Sequence, residues 1–174
     1  MSSFELEIWD DETEKVTFYT VRWENSDISE TDKFFEKSIR IDPSSTHELL
    51  SLVIDTIGTD YGAIDDFFNR QENTVTALPP HGRVTVHELK IHFPQFPLRL
   101  YALRINRRKD MVILFNGGIK SGQTNEQSPD LNLKFHEANA FAKKIEMALQ
   151  EKLIVIDEAS RTLKYFNGSD EIIL

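Results

Sequence analysis

Seven side chains between residues 99 and 120 have the types and spacing to handle a phosphate ester: Arg99, Tyr101, Arg104, Arg107, Arg108, Lys109 and Lys120. An arginine fork matches phosphate oxygens two at a time, and a fixed cation stabilises charge that develops as a phosphodiester reacts. A neighbouring tyrosine can orient or stack on the nucleotide. Two β-prone runs carry these groups, Leu98–Ile105 and Met111–Phe115. If the runs pair as an antiparallel hairpin, Arg99 at the start of the first and Lys120 just past the second lie at the same end. Arg107, Arg108 and Lys109 then lie at the other end, in the turn, as an RNA- and phosphate-binding set with Arg104. The competing expectation is that Arg99 pairs with an acidic group and Lys120 is simply solvated.

Other chemistries find little support. The chain has no Walker loop, no GxGxxG and no HExxH. Gly117-Gly118 is too short to cradle a phosphate and reads as a tight bend after a buried strand. His81, His87 and His92 are not spaced as zinc ligands, and cysteine is absent, so neither a metal nor another cofactor is expected. Asp65 and Asp66 are adjacent and cannot face each other as an acid–base pair.

The 174 residues carry a net charge of −9, which marks an acidic protein and argues against general nucleic-acid binding. The charge is uneven. Residues 1–75 hold 6 Lys/Arg against 18 Asp/Glu, whereas residues 76–125 hold 8 against 2. That central block either presents an anion-facing patch or is neutralised by the acidic part packed beside it. With no cysteine, no long apolar run and no basic leader before an apolar core, a cytoplasmic protein without a membrane span is expected.

The elements that must position these groups follow from periodicity. Phe4, Leu6 and Ile8 alternate with glutamates, and Val16–Trp23 is β-branched and aromatic, which predicts an N-terminal hairpin. Ser29 before Asp32 starts a short helix with Phe34, Phe35 and Ile39 on its apolar stripe. Ser45 with Glu48 starts a second, and Gly58 is placed to end it. A third helical piece is expected over 62–69, burying Ile64, Phe67 and Phe68. Residues 71–82 read as a surface loop because Pro79-Pro80 breaks the pattern. Residues 83–89 alternate as a strand. After the hairpin, residues 121–130 read as a polar loop, and a long helix runs over about 131–152. Asn167-Gly168 between β-prone runs signals a further hairpin in the tail. The expected architecture is one α+β domain over 1–174, with a sheet core at about 83–121 and a C-terminal extension.

The run LRLYALRI…MVILFNGGIKS, then a polar loop and LKFHEANAFAKKIEMAL, resembles toxins of the RelE/HigB group, including the phage Gp49-like branch. The resemblance covers about residues 97–150. It implies an antiparallel sheet with helices packed on one face. It also implies a metal-independent endoribonuclease that cuts ribosome-bound mRNA and is neutralised by an antitoxin protein. Arg99 matches the family's strand arginine, and Lys120 matches its lysine after the bend. With Tyr101 these form the expected catalytic set. Leu98 stands where the family often has an aromatic, a single lysine follows the glycines, and the chain is longer and acidic. A non-catalytic interaction protein on a related or other α+β fold is the alternative.

Overall fold

The computed structural model describes residues 2–120 and 129–174. The N-terminal alternation folds as β1 (Phe4–Asp10), paired antiparallel with β2 (Thr17–Trp23). Helix α1 (Glu30–Ile41) is capped as its sequence predicts, the Ser29 hydroxyl accepting from Asp32 N at 3.1 Å. The cap of α2 (Pro43–Ser51) lies three residues earlier than expected. Asp42, not Ser45, accepts there, from Ser45 N, and Pro43 takes the first helical position. Nor does Gly58 end this helix. The chain continues with π-type hydrogen bonding over Leu52–Tyr61 and stops at Gly62, whose φ of 83° suits glycine. Gly58 instead lets the Thr13 side chain approach, since a Cβ there would lie 2.8 Å from its methyl. The helical piece expected over 62–69 shrinks to one 3₁₀ turn at Asp65–Phe67, although Phe67 and Phe68 are buried as expected.

The expected loop at 71–82 is largely sheet. β3 (Gln71–Glu72) and β4 (Val75–Leu78) form a hairpin, and β4 pairs antiparallel with β7 (Leu98–Arg104). Four residues between polar flanks and Pro79 gave too short a run to show a period, yet every residue of β4 is buried. The strand expected at 83–89 is two short strands, β5 (Arg83–Val86) and β6 (Leu89–His92), turning at His87 in a hairpin outside the main sheet. β8 (Met111–Ile119) pairs antiparallel with β7, as expected. Helix α3 spans Pro129–Gln150. Residues 121–128 of the expected polar loop lie outside the described residues, while Pro129 and Asp130 already belong to α3. In the tail, β9 (Ile154–Asp157) and β10 (Thr162–Tyr165) pair with each other, and the Asn167-Gly168 turn leads to β11 (Ile172–Ile173) on the edge of β1.

The sheet order is β11-β1-β2-β8-β7-β4-β3, and β2 runs parallel to β8. The fold is therefore α+β with a mixed sheet, not the antiparallel one expected, and the sheet extends well beyond 83–121. Its helices lie on both faces, not one. Tyr101, Leu103 and Phe115 pack with Phe141 and Ile145 of α3 on one side. Leu98, Leu100 and Leu114 pack with Phe34 of α1, Leu49 of α2 and Val53 on the other. The reason is visible in β8. Five successive residues, Met111–Phe115, are fully buried, which requires cover above and below.

Side chains from remote segments fix the short elements. Asn139 of α3, 5% exposed, accepts from Thr74 N at 2.9 Å and Val75 N at 3.2 Å, and donates to Phe135 O at 3.1 Å. Asn139→Ala leaves two amides at the head of β4 without that acceptor. It is expected to lower unfolding free energy by about 2 kcal/mol in urea titration. Arg161 ties the β9–β10 hairpin to the sheet, donating to Thr17 Oγ1 (3.0 Å), Glu14 O (2.8 Å) and Thr13 O (3.1 Å). Arg161→Ala is expected to cost about 2 kcal/mol and to speed amide exchange in that hairpin before the rest of the molecule.

Candidate functional site

β7 and β8 pair with Arg99 opposite Gly118, and Lys120 N donates to Pro97 O at 2.7 Å. Two-residue alternation then puts Arg99, Tyr101, Gly118 and Lys120 on the α3 face of the sheet. The expectation that Arg99 and Lys120 share one end of the hairpin is met in position. They are joined by Arg70, which precedes β3 and donates from Nε to Pro79 O at 3.2 Å. Arg70 escaped the sequence reading because its hairpin was taken for a surface loop.

Like charges meet here at low exposure. Arg99 is 5% exposed, and its Nη1 donates to Phe96 O and Leu98 O, both at 2.9 Å. Burial pulls its pKa down to about 10, and the positive charge of Arg70 adds to that, against Glu72 and Tyr101. Lys120 is lowered by burial, then by Arg99 and Arg70, with Glu72 opposing. Arg70 is lowered by burial, again against Glu72. The Tyr101 ring is fully buried beside Phe135, and its hydroxyl finds no hydrogen-bond partner. Burial and the Glu72 charge keep the phenol protonated, so it is a bare donor next to the cations.

Three cations, one acid and one free phenol at a single corner suit an anion of more than one charge. A phosphate would supply acceptors for the fork of Arg99 and for the Tyr101 hydroxyl. The α3 N-terminus adds its own positive end nearby, since a Cβ on Gly118 would lie 3.0 Å from Leu131 Cδ1 and 3.4 Å from Asp130 Oδ2.

The turn-end set is differently placed. Arg104 binds Asp65 Oδ1 at 2.7 Å and Ala63 O at 3.2 Å, with its guanidinium over the Phe68 ring. Arg107 holds the other Asp65 oxygen at 3.0 Å. Arg108 grips Asp110 and Glu158 at 2.7 to 2.8 Å, which raises its own pKa and lowers both acids. Lys109 is exposed, and its carbonyl accepts from Ala63 N at 2.8 Å. The acidic part thus neutralises this end. Arg104 and Arg107 still line a depression of about 580 Å³ with Asn69, Gln71, Thr76 and Glu146.

No protein-family model, curated protein or solved structure matches the chain.

Among the described residues no three His, Asp or Glu side chains gather to hold a metal ion. His87 sits in the β5–β6 turn and His92 pairs with Arg83 across that hairpin. No described helix is long and apolar enough to cross a membrane. Sequence reading missed one more polar group. Glu30 of α1, Asn116 of β8 and Glu137 of α3 meet where the sheet opens between β2 and β8, and Asn116 Nδ2 donates to Glu137 Oε1 at 2.8 Å. Residues 86 and 21 positions apart in sequence carry no shared period, so only the topology unites them.

Proposed function

We propose that the chain binds a phosphate of RNA at the Arg70–Arg99–Lys120 corner and acts as a RelE/HigB-like, metal-independent endoribonuclease of the toxin–antitoxin type. The observation that supports this reading is the convergence of three cations and an unpartnered buried phenol on one face of β7 and β8. Grouping like charges at low exposure works against stability, and an anionic ligand offsets it. In this reading Arg99 stabilises the charge developing on the phosphate, Lys120 and Arg70 bind its oxygens, and Tyr101 orients it by a hydrogen bond. The ribosome and an antitoxin protein are the partners that go with it. Arg104, Arg107, Arg108 and Lys109, engaged with Asp65, Asp110, Glu158 and backbone, have a structural part first and at most a secondary part in holding RNA.

A specific observation favours a second reading, a non-catalytic interaction protein. Arg99 is 5% exposed and Tyr101 is sealed, which is poor access for a polymer substrate. Induced expression in bacterial cells separates the two. The nuclease reading expects growth arrest and cut mRNA with the natural chain, and neither with Arg99→Ala. Equal, harmless growth of both, with intact mRNA, would leave the interaction protein.

A further inference from the structure

We propose that Glu30 and Glu137 hold one proton between them, and that this shared proton clasps α1 to α3 across the opening between β2 and β8. The two strands pair only from Thr17↔Met111 to Thr20↔Leu114, although β2 runs on to Trp23 and β8 to Ile119. Beyond that point the first turn of α1 enters the gap. The Thr31 hydroxyl lies 2.7 Å from Phe115 O, 3.1 Å from Leu114 O and 2.7 Å from the Thr20 hydroxyl. These contacts fix the adjacent Glu30 inside, where it is 3% exposed.

From the other face, Glu137 of α3 reaches the same gap and hydrogen-bonds both to Asn116 Nδ2 and to Glu30. Ionised carboxylates only accept, so a hydrogen bond between two of them requires one proton. Asn116 is 2% exposed, and its Oδ1 has no hydrogen-bond partner, so this chamber is short of donors rather than acceptors. Every charged group that the structure places against the pair was weighed. Lys33 of α1 sits 2.9 Å from Glu30 Oε2 as an ion pair, but is out of line for a hydrogen bond to an atom otherwise without one. Lys134 of α3 pulls Glu137 toward ionisation. Lys37 and Asp130 are engaged with each other at 3.7 Å. Asn116 on β8 and Thr20 on β2 are neutral. One partly exposed lysine balances one carboxylate, and the second stays protonated.

The sign of the pH dependence follows. Burial raises the Glu137 pKa, and the hydrogen bond and charge of Glu30 raise it further. A carboxyl raised in the folded state contributes stability that is present at low pH and lost as pH rises through its folded value. Loss of the proton puts two like charges between α1 and α3, so the clasp loosens toward alkaline pH. Glu5, also raised by burial, gives a slope of the same sign, and Asp110, lowered by Arg108, gives the opposite one, so the comparison must be made within this pair.

Thermal melts of the full chain at about pH 5 and about pH 8 test this against Glu137→Gln, which keeps the shape and removes the charge. The natural chain should lose several degrees more of Tm over that range than the variant, and the variant should melt higher at the alkaline end. Parallel Tm curves would overturn the proposal. Carbon-detected NMR titration of the glutamate carboxyls in the unmodified protein gives a second readout that does not depend on the variant folding. One carboxyl titrating well above the ordinary glutamate range supports the shared proton, and all glutamates titrating normally refutes it.

Discussion

Gly117→Ala is expected to lower the unfolding free energy by about 4 kcal/mol or to prevent folding, a larger effect than most single methyl additions. Gly117 lies inside β8, opposite Leu100, with extended backbone and no positive φ. What requires glycine is space. A Cβ would collide with the Arg99 carbonyl oxygen and lie 2.8 Å from Cδ1 of the Phe34 ring. One obstacle is backbone in the adjacent strand. The other is a ring held between Phe35 and the sheet, so neither can yield by a rotamer change. Gly118→Ala is the matched control. Its nearest contact is the terminal methyl of Leu131 at 3.0 Å, which can shift by a few tenths of an ångström, so a loss under about 1 kcal/mol is expected. Urea unfolding of both variants decides it. Equal losses would mean that the α1 face is no tighter than the α3 face.

The same pair of glycines shows where sequence reasoning stops. Adjacent glycines usually free the backbone for a bend, and read that way they end the strand at Phe115. In the fold the strand runs through them to Ile119, with the register slipping between Leu100 and Ala102 so that Phe115 and Asn116 bulge. Glycine's two uses, turning and making room, are identical in a sequence and differ only once α1 is in place. Periodicity was a better guide. The 22-residue α3, the N-terminal hairpin and the alternation along β7 were all legible because each repeats its apolar spacing within one element. β4 was not, since four residues are too few to carry a period. Nor was the parallel contact of β2 with β8, because a pairing across more than 90 residues leaves no local trace. For the site, the hairpin register brought Arg99 and Lys120 together as expected. Arg70 entered through the strand that was read as loop, and the neutralisation of Arg104, Arg107 and Arg108 needed the acidic segments to be located in space.

Arg99→Ala should abolish whatever phosphate chemistry the corner performs, with a loss of cleavage on the order of 100-fold or more, as for removal of one preorganised charge donor. Its effect on folding should be small by comparison. The variant gives up two hydrogen bonds to the Phe96 and Leu98 carbonyls, and also removes a buried cation crowded by Arg70 and Lys120. Those contributions have opposite signs, so unfolding free energy should move by no more than about 1 kcal/mol. That separation makes the variant diagnostic, because a fold that survives while the activity vanishes assigns Arg99 to the chemistry. Arg99→Lys sharpens it. Lysine keeps the charge but offers no planar fork, so it cannot hold both carbonyls and a ligand oxygen at once. Cleavage with the lysine variant should stay near the alanine level, while affinity for a short RNA, read by fluorescence anisotropy, recovers in part. If lysine instead restores cleavage fully, positive charge alone is what the corner supplies. If both variants unfold, Arg99 is a structural staple for the Phe96–Leu98 turn and the phosphate assignment passes to Lys120 and Arg70, whose alanine variants then carry the same assay.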